Sequence, residues 1–179
     1  EWVLERVCID LNLLRRSGGN PGRIALNLSL KQLRQASFIL KCHSVFERHN
    51  VPVASIELEI TESTLMADPH RTLPMLHQLA AMGVHLSIDD FGTGYSSLSA
   101  LQQFPIGTLK IDQSFVRDLS DDPGDATLIR TIIDMGHGLG MEVVAEGVET
   151  VSQLAFLRAS GCNQAQGRLF GEAEKVESL

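Results

Sequence analysis

No apolar run in this 179-residue chain approaches the roughly 20 residues needed to cross a bilayer. No charged segment followed by an apolar core opens it either. The reading is a soluble, cytoplasmic piece, with any membrane anchor placed in another segment of a longer parent. Positive charge is also scarce: 15 Lys+Arg stand against 22 Asp+Glu, a formal net charge of −7, with no basic cluster. Duplex nucleic acid is therefore a poor partner, because neutralising phosphates supplies most non-specific affinity. A small anionic ligand held through metal ions stays compatible. The three cysteines, Cys8, Cys42 and Cys162, are odd in number and lack Cys-x-x-Cys spacing, and the six histidines show no His-Glu-x-x-His pattern. That argues for buried thiols in a reducing compartment rather than a disulfide framework or a zinc site.

Low-complexity stretches, long linkers and internal repeats are missing as well, and helical and strand periods take turns instead. Residues 1–16 carry Trp2, Val3, Val7, Leu11 and Leu14 at helical spacing, closed by Gly18-Gly19 and Pro21. Residues 23–29 alternate, with Ile24, Leu26 and Leu28 on one face. Ser29 with Gln32 forms a capping box that opens a helix to about Asn50. Ile56, Leu58 and Ile60 oppose Glu57, Glu59 and Thr61 in a second strand. A helix over 70–82 ends at Gly83, with Pro74 expected to delay its start or kink it. Val84, Leu86 and Ile88 then oppose His85, Ser87 and Asp89. After a loop and a short helix, Leu109 and Ile111 oppose Lys110 and Asp112. A helix over 126–139, a strand over 142–146, a helix capped by Thr150 and Gln153, and a weak strand over 161–166 complete the chain.

Strands separated by helices indicate a parallel α/β sheet. The polar face decides its form. It carries Asn27, Glu59, Asp89, Lys110, Asp112 and Glu146 at the C-terminal strand ends. A doubly wound sheet has helices on both faces and wants both apolar. A barrel with a site at its C-terminal mouth tolerates the pattern. A complete eight-stranded barrel takes about 250 residues, so the expectation is an α/β barrel that lacks its beginning.

In that barrel four carboxylates, one amide and one lysine meet at one mouth. Hard oxygen ligands without cysteine indicate Mg2+ or Mn2+ rather than zinc. The adjacent pair Asp89-Asp90 suits a site with two ions about 3.5–4 Å apart, which clamp the attacking and leaving oxygens of a phosphoryl centre. Lys110 would orient a hydroxide or steady a phosphate oxygen. Each element alone has a bland reading: a solvated Asp-Asp turn, an exposed strand edge at Glu57, Glu59 and Glu62, a flexible Gly92-Thr93-Gly94 turn, a surface pair at Lys110 and Asp112. Co-occurrence at matching depth on separate strands favours a metal-dependent barrel hydrolase or lyase.

Six motifs then occur in order: Asn27-Leu28-Ser29, Glu57-Leu58-Glu59-Ile60-Thr61-Glu62, Asp89-Asp90-Phe91-Gly92-Thr93-Gly94-Tyr95-Ser96-Ser97-Leu98, Leu109-Lys110-Ile111-Asp112, Ala145-Glu146-Gly147-Val148-Glu149-Thr150 and Gln166-Gly167. Together they resemble the EAL-domain family of bacterial cyclic-di-GMP phosphodiesterases, over nearly the whole chain. The resemblance implies a modified (β/α)8 TIM-like barrel, here incomplete at its N-terminal end, with residues 1–179 as a single domain of this type. It implies two Mg2+ or Mn2+ ions: Asn27, Glu59 and Asp89 on the first, Asp89 bridging to the second, Asp90 and Glu146 completing that one. Lys110 would position the nucleophilic water with Asp112 beside it, and Glu149 and Gln166 would line the water and substrate shell. The loop from Phe91 to Ser97 resembles a regulatory loop that couples homodimerisation to metal geometry, with Glu62 as its anchor. The implied reaction opens cyclic-di-GMP to linear pGpG, in a parent that carries sensor or GGDEF-type domains.

Two departures accompany the resemblance. Relatives carry their Glu-Ala-Leu motif upstream of the position of Trp2, so this chain is expected to be the C-terminal three-quarters of the domain, short of one metal-ligating glutamate. After Gln166-Gly167 relatives have an aromatic and a basic-Pro pair, whereas this chain has Arg168 and later Gly171-Glu172-Ala173. These departures motivate an alternative function, a catalytically inactive cyclic-di-GMP receptor or interaction module. An unrelated metal-dependent barrel enzyme, the third reading, leaves the motif order unexplained.

Overall fold

The computed structural model describes residues 2–19, 22–94, 98–117, 119 and 123–174. Among them the alternating stretches form six strands: β1 (Ile24–Asn27), β2 (Ile56–Thr61), β3 (His85–Phe91), β4 (Thr108–Ile111), β5 (Glu142–Ala145) and β6 (Gln164–Ala165). All neighbours are parallel and pair in chain order from β1 to β6. Sequential order is what winding in one direction gives, whereas a doubly wound sheet reverses at a switch point. The sheet is strongly curled. Arg23, just ahead of β1, lies 3.3 Å from Glu142 at the start of β5. In a flat sheet with strands about 4.8 Å apart, four spacings would separate them by roughly 19 Å. The architecture is therefore an incomplete α/β barrel, with β1 and β6 as edges among the described residues.

The convex face is apolar. Ile56, Ile60, Ile88, Leu109, Ile111, Val143 and Ala145 are fully buried there. Each large side chain so buried contributes about 1.5–3 kcal/mol. Covering helices include α1 (Trp2–Arg16), α2 (Leu30–Leu33), α3 (Phe38–His49), α4 (Glu62–Ala67), α5 (Pro69–Ala81), α6 (Leu98–Leu101), α7 (Gln113–Arg117), α8 (Pro123–Gly138) and α9 (Val151–Ala159). Both capping boxes form: Ser29 with Gln32 opens α2, and Thr150 with Gln153 opens α9.

Three local expectations need correction. The stretch to Asn50 is two helices, not one. Leu33 and Phe38 are both buried, yet residues five apart on one helix point about 140° away from each other. The break over 34–37 lets both face the core. Pro74 does not delay its helix, which starts at Pro69 with Asp68 Oδ1 accepting from the Arg71 N–H at 3.3 Å. Pro74 is exposed within α5, where water can serve the carbonyl its missing N–H leaves over. Finally, α1 buries Leu4, Cys8 and Leu11, while Trp2 and Val3 are exposed. The small, buried Cys8 belongs to the apolar stripe and rotates it. Cys8 and Cys42 are buried thiols, and burial pushes both up to about 11. Cys162 is only half-buried.

The concave face is polar, and at its N-terminal end His85 is a fixed neutral group. Its Nδ1 lies 3.2 Å from Arg23 Nη1 and its Nε2 2.8 Å from Thr108 Oγ1. Guanidinium only donates, so Nδ1 accepts and the proton sits on Nε2. Burial first, then Arg23, lower the His85 pKa below 6.5, against Glu57 and Glu142. The unfolded chain then takes up this proton at a higher pH than the folded one. The folded state is undisturbed above about pH 6.5 and loses stability as pH falls below it. Melting temperatures between pH 7.5 and 5.5 should therefore fall more steeply for the native chain than for His85→Gln. Parallel slopes would contradict this.

Candidate active site

Because Ile56, Leu58 and Ile60 take the convex side of β2, Glu57 and Glu59 point into the concavity, where both are buried. Lys110 enters from β4 between Leu109 and Ile111 and is also buried. Its ammonium donates to Glu59 Oε1 and to Glu146 Oε1, just past β5, and lies 3.9 Å from Asp89 Oδ1. No ladder joins β2 to β5; the lysine spans them. Burial alone would lower the Lys110 pKa, but its bonds to Glu146 and Glu59 outweigh burial and hold it raised and charged.

One ammonium cannot neutralise three carboxylates. Burial raises Glu146, and the charges of Asp89 and Glu59 act in the same direction. Asp89 Oδ1 is buried without a hydrogen-bond partner. A surplus of negative oxygen, one atom of it orphaned, suits a hard divalent cation. Among the described residues, no three His, Cys, Asp or Glu side chains gather as a chelating cluster; Lys110 stands at their centre.

Asp90 reaches the mouth through a bulge. Ile88 pairs with Leu109 and Phe91 with Ile111, so three residues on β3 match two on β4. A regular strand would turn Asp90 into the apolar layer. Instead Asp90 adopts a left-handed φ of 53° and Phe91 takes the buried place. Asp90 is raised by burial and by the charges of Asp89 and Asp112. Asp112 is held low, despite burial, by bonds from the Ser114 hydroxyl and N–H, the latter at 2.9 Å. Ser114 was not singled out in the sequence, although Asp-x-Ser is the spacing of such a side-chain turn.

The other residues lie around this centre. Asn27 is exposed at the end of β1, in register with Glu59. Gln166 lines a concavity of about 700 Å³ together with Glu57, Glu59 and Lys110. It is held by backbone bonds to Ala145 O at 2.8 Å and from Val148 N at 3.0 Å. Gly167 follows it because a Cβ there would sit 2.3 Å from the Val148 backbone. Glu149 is not brought to the lysine; it is half-exposed and faces Arg168 at 3.5 Å. Glu62 is buried, and its Oε2 accepts from the N–H groups of Gly92 at 3.1 Å and Gly94 at 3.3 Å. Tyr95, Ser96 and Ser97, the remainder of the loop singled out in the sequence, lie outside the described residues.

The EAL domain profile matches residues 1–173. The chain is 43% identical over its whole length to the bifunctional diguanylate cyclase/cyclic di-GMP phosphodiesterase MucR of Pseudomonas aeruginosa, covering 26% of that protein. It is 44% identical to the cyclic di-GMP phosphodiesterase NbdA of the same organism, covering 100% of this chain and 23% of that one. The chain thus spans about a quarter of the length of these curated relatives. The structure of the P. aeruginosa MucR phosphodiesterase in complex with c-di-GMP superposes with a TM-score of 0.95 at 42% identity, over 99% of this chain and 72% of that one. The EAL domain of Mycobacterium smegmatis DcpA gives 0.92 at 38% identity, over 99% and 80%.

Removing the Glu62 carboxylate takes a charged acceptor from two backbone N–H groups and leaves them to water. Glu62→Ala should cost about 1–3 kcal/mol in chemical denaturation and speed proteolysis near Gly92. An unchanged denaturation midpoint would show that these two bonds hold nothing.

Proposed function

The chain belongs to the EAL domain family, and on that premise we propose that the domain of which it is part hydrolyses cyclic di-GMP, opening one phosphodiester bond to give linear pGpG. The observation that carries this reading is the charged Lys110 set among Glu59, Glu146 and Asp89 at the C-terminal strand ends. Relatives named as cyclic di-GMP phosphodiesterases support it.

The family implies dependence on divalent metal. In this reading Asn27, Glu59, Asp89, Asp90 and Glu146 would hold two such ions, Mg2+ or Mn2+. Bound there, they supply the positive charge that polarises a phosphodiester and acidifies water. The chain's own residues do the rest. Lys110 stays charged, orients the attacking water and offsets the charge that grows on the phosphate oxygens. Asp112, kept ionised by the Ser114 hydroxyl and N–H, adds a negative charge beside Asp90. Gln166 and Glu149 line the water and substrate shell from the rim.

The same reading makes residues 1–179 one domain of a longer parent that carries sensor or GGDEF-type domains. It has homodimers form through the region around the loop at Phe91. The tie from Glu62 to that loop supports a path from the loop to β2. The free thiols suit a reducing, cytoplasmic setting. Among the described residues no helix is long and apolar enough to cross a membrane.

Chromatography of cyclic di-GMP incubated with Mn2+ tests the proposal, on this chain and on its parent protein. Conversion to pGpG is expected. Nucleotide binding without turnover in both would replace the enzyme with a receptor. Lys110→Met should lower kcat by about 10²-fold or more, with nucleotide affinity changed far less. Equal loss in both would make Lys110 a binding residue instead.

A further inference from the structure

A second layer of charge crosses the concavity at its floor, away from the mouth, and the reaction above makes no use of it. Its centre is Arg23, which precedes β1. The guanidinium lies 3.3 Å from Glu57 on β2 through Nε, 3.3 Å from Glu142 on β5 through Nη2, and 3.2 Å from His85 on β3 through Nη1. His85 continues to Thr108 on β4 at 2.8 Å, and Gln164 on β6 reaches Glu142 at 3.3 Å. The chain of contacts touches β2 to β6 and starts from the residue that precedes β1. A planar fork with several fixed donors can serve three partners at once, which a lysine cannot.

Backbone ladders tie each strand to its neighbours, but they leave the accumulated curl adjustable, since the rotation between adjacent strands varies widely. The separation of β2 and β5 across the concavity is therefore set by side chains that bridge it. Lys110 does so at the mouth, on the carboxylates of the site itself. Arg23 does so at the floor. Glu57 is two residues from Glu59 on the same face of β2, about 7 Å away, and Glu142 opens the strand that delivers Glu146 about 13 Å further on.

We propose that Arg23 is a positioning residue: by holding Glu57 and Glu142 on one guanidinium, it sets the gap across which Glu59 and Glu146 face each other. This rests on the reading that those two glutamates hold divalent metal. The pair of Arg23 with Glu142 is half-exposed, their side chains 33% and 52%, and adds little to global stability. Glu57 is buried, its side chain 11% exposed, so removing the guanidinium also leaves a buried carboxylate without its cation and lowers the melting temperature. The signature of Arg23 is therefore weakened metal binding in a chain that is still folded.

The test is a Mn2+ titration of the full chain followed by electron paramagnetic resonance, beside thermal melts. Arg23→Gln should weaken Mn2+ binding about fivefold, short of the 10–100-fold seen for groups that touch a ligand directly. Arg23→Lys should fall between the two. His85→Gln, which leaves both carboxylate contacts, should bind Mn2+ as the native chain does. Native affinity in Arg23→Gln overturns the proposal, and an equal loss in His85→Gln makes the floor a general support rather than a spacer. Should Arg23→Gln fail to fold, Glu142→Gln removes one contact at a half-exposed position and must weaken Mn2+ in the same direction; unchanged affinity there also overturns it. A native chain that takes up no Mn2+ sinks the metal reading, and this proposal with it.

Discussion

The structure turns on the ammonium of Lys110, buried between Glu59 and Glu146 and within 3.9 Å of Asp89. Burying four ionised groups is costly unless they compensate one another. The barrel's polar face would otherwise repel itself open. With the lysine in place, residues from β2, β3, β4 and β5 meet at one depth, and the surplus negative charge is confined to the mouth. The same cation that makes the fold tolerate its acids would serve a phosphate-bearing ligand there. In the proposed reading stability and chemistry share one side chain.

Around that centre, small departures from regular structure decide what is presented. The bulge at Asp90 lets two consecutive aspartates serve the mouth without placing a charge in the apolar layer. Glu62, the first residue of α4, ties the N–H groups of Gly92 and Gly94, after β3, to the end of β2. Gly167 lets the chain pass against the backbone of Val148 and so brings Gln166 to the rim. At Asp90 and Gly167 a backbone feature aims a polar side chain, while at Glu62 a buried carboxylate holds the loop backbone.

How far this was legible differs by feature. Six strands and both capping boxes could be read directly, because alternation and caps are local patterns spanning a few residues. The barrel, rather than a doubly wound sheet, followed from polar residues recurring on one face. The break between α2 and α3, the start of α5 at Pro69 and the true buried stripe of α1 were misread. Burial of both Leu33 and Phe38 overrides one continuous helical period, whereas the α1 stripe Leu4, Cys8 and Leu11 follows that period through a cysteine, and α5 starts early because Asp68 caps it and Pro69 suits a first turn. The floor went unnoticed altogether, since Arg23 and Glu142 are 119 residues apart and no spacing rule links them.

The residue types of the mouth, their order, and their placement at strand ends were determined by the sequence alone. So was membership of a family, through motifs too long to arise from propensity. Only the tertiary structure decided which of these residues touch. It set Lys110 among three carboxylates, left Glu149 with Arg168, and kept Asn27 exposed. The physical reason is that period fixes the face a side chain points to. The curl of the sheet, set by cross-concavity charges and bulges, fixes the distance to the opposite wall.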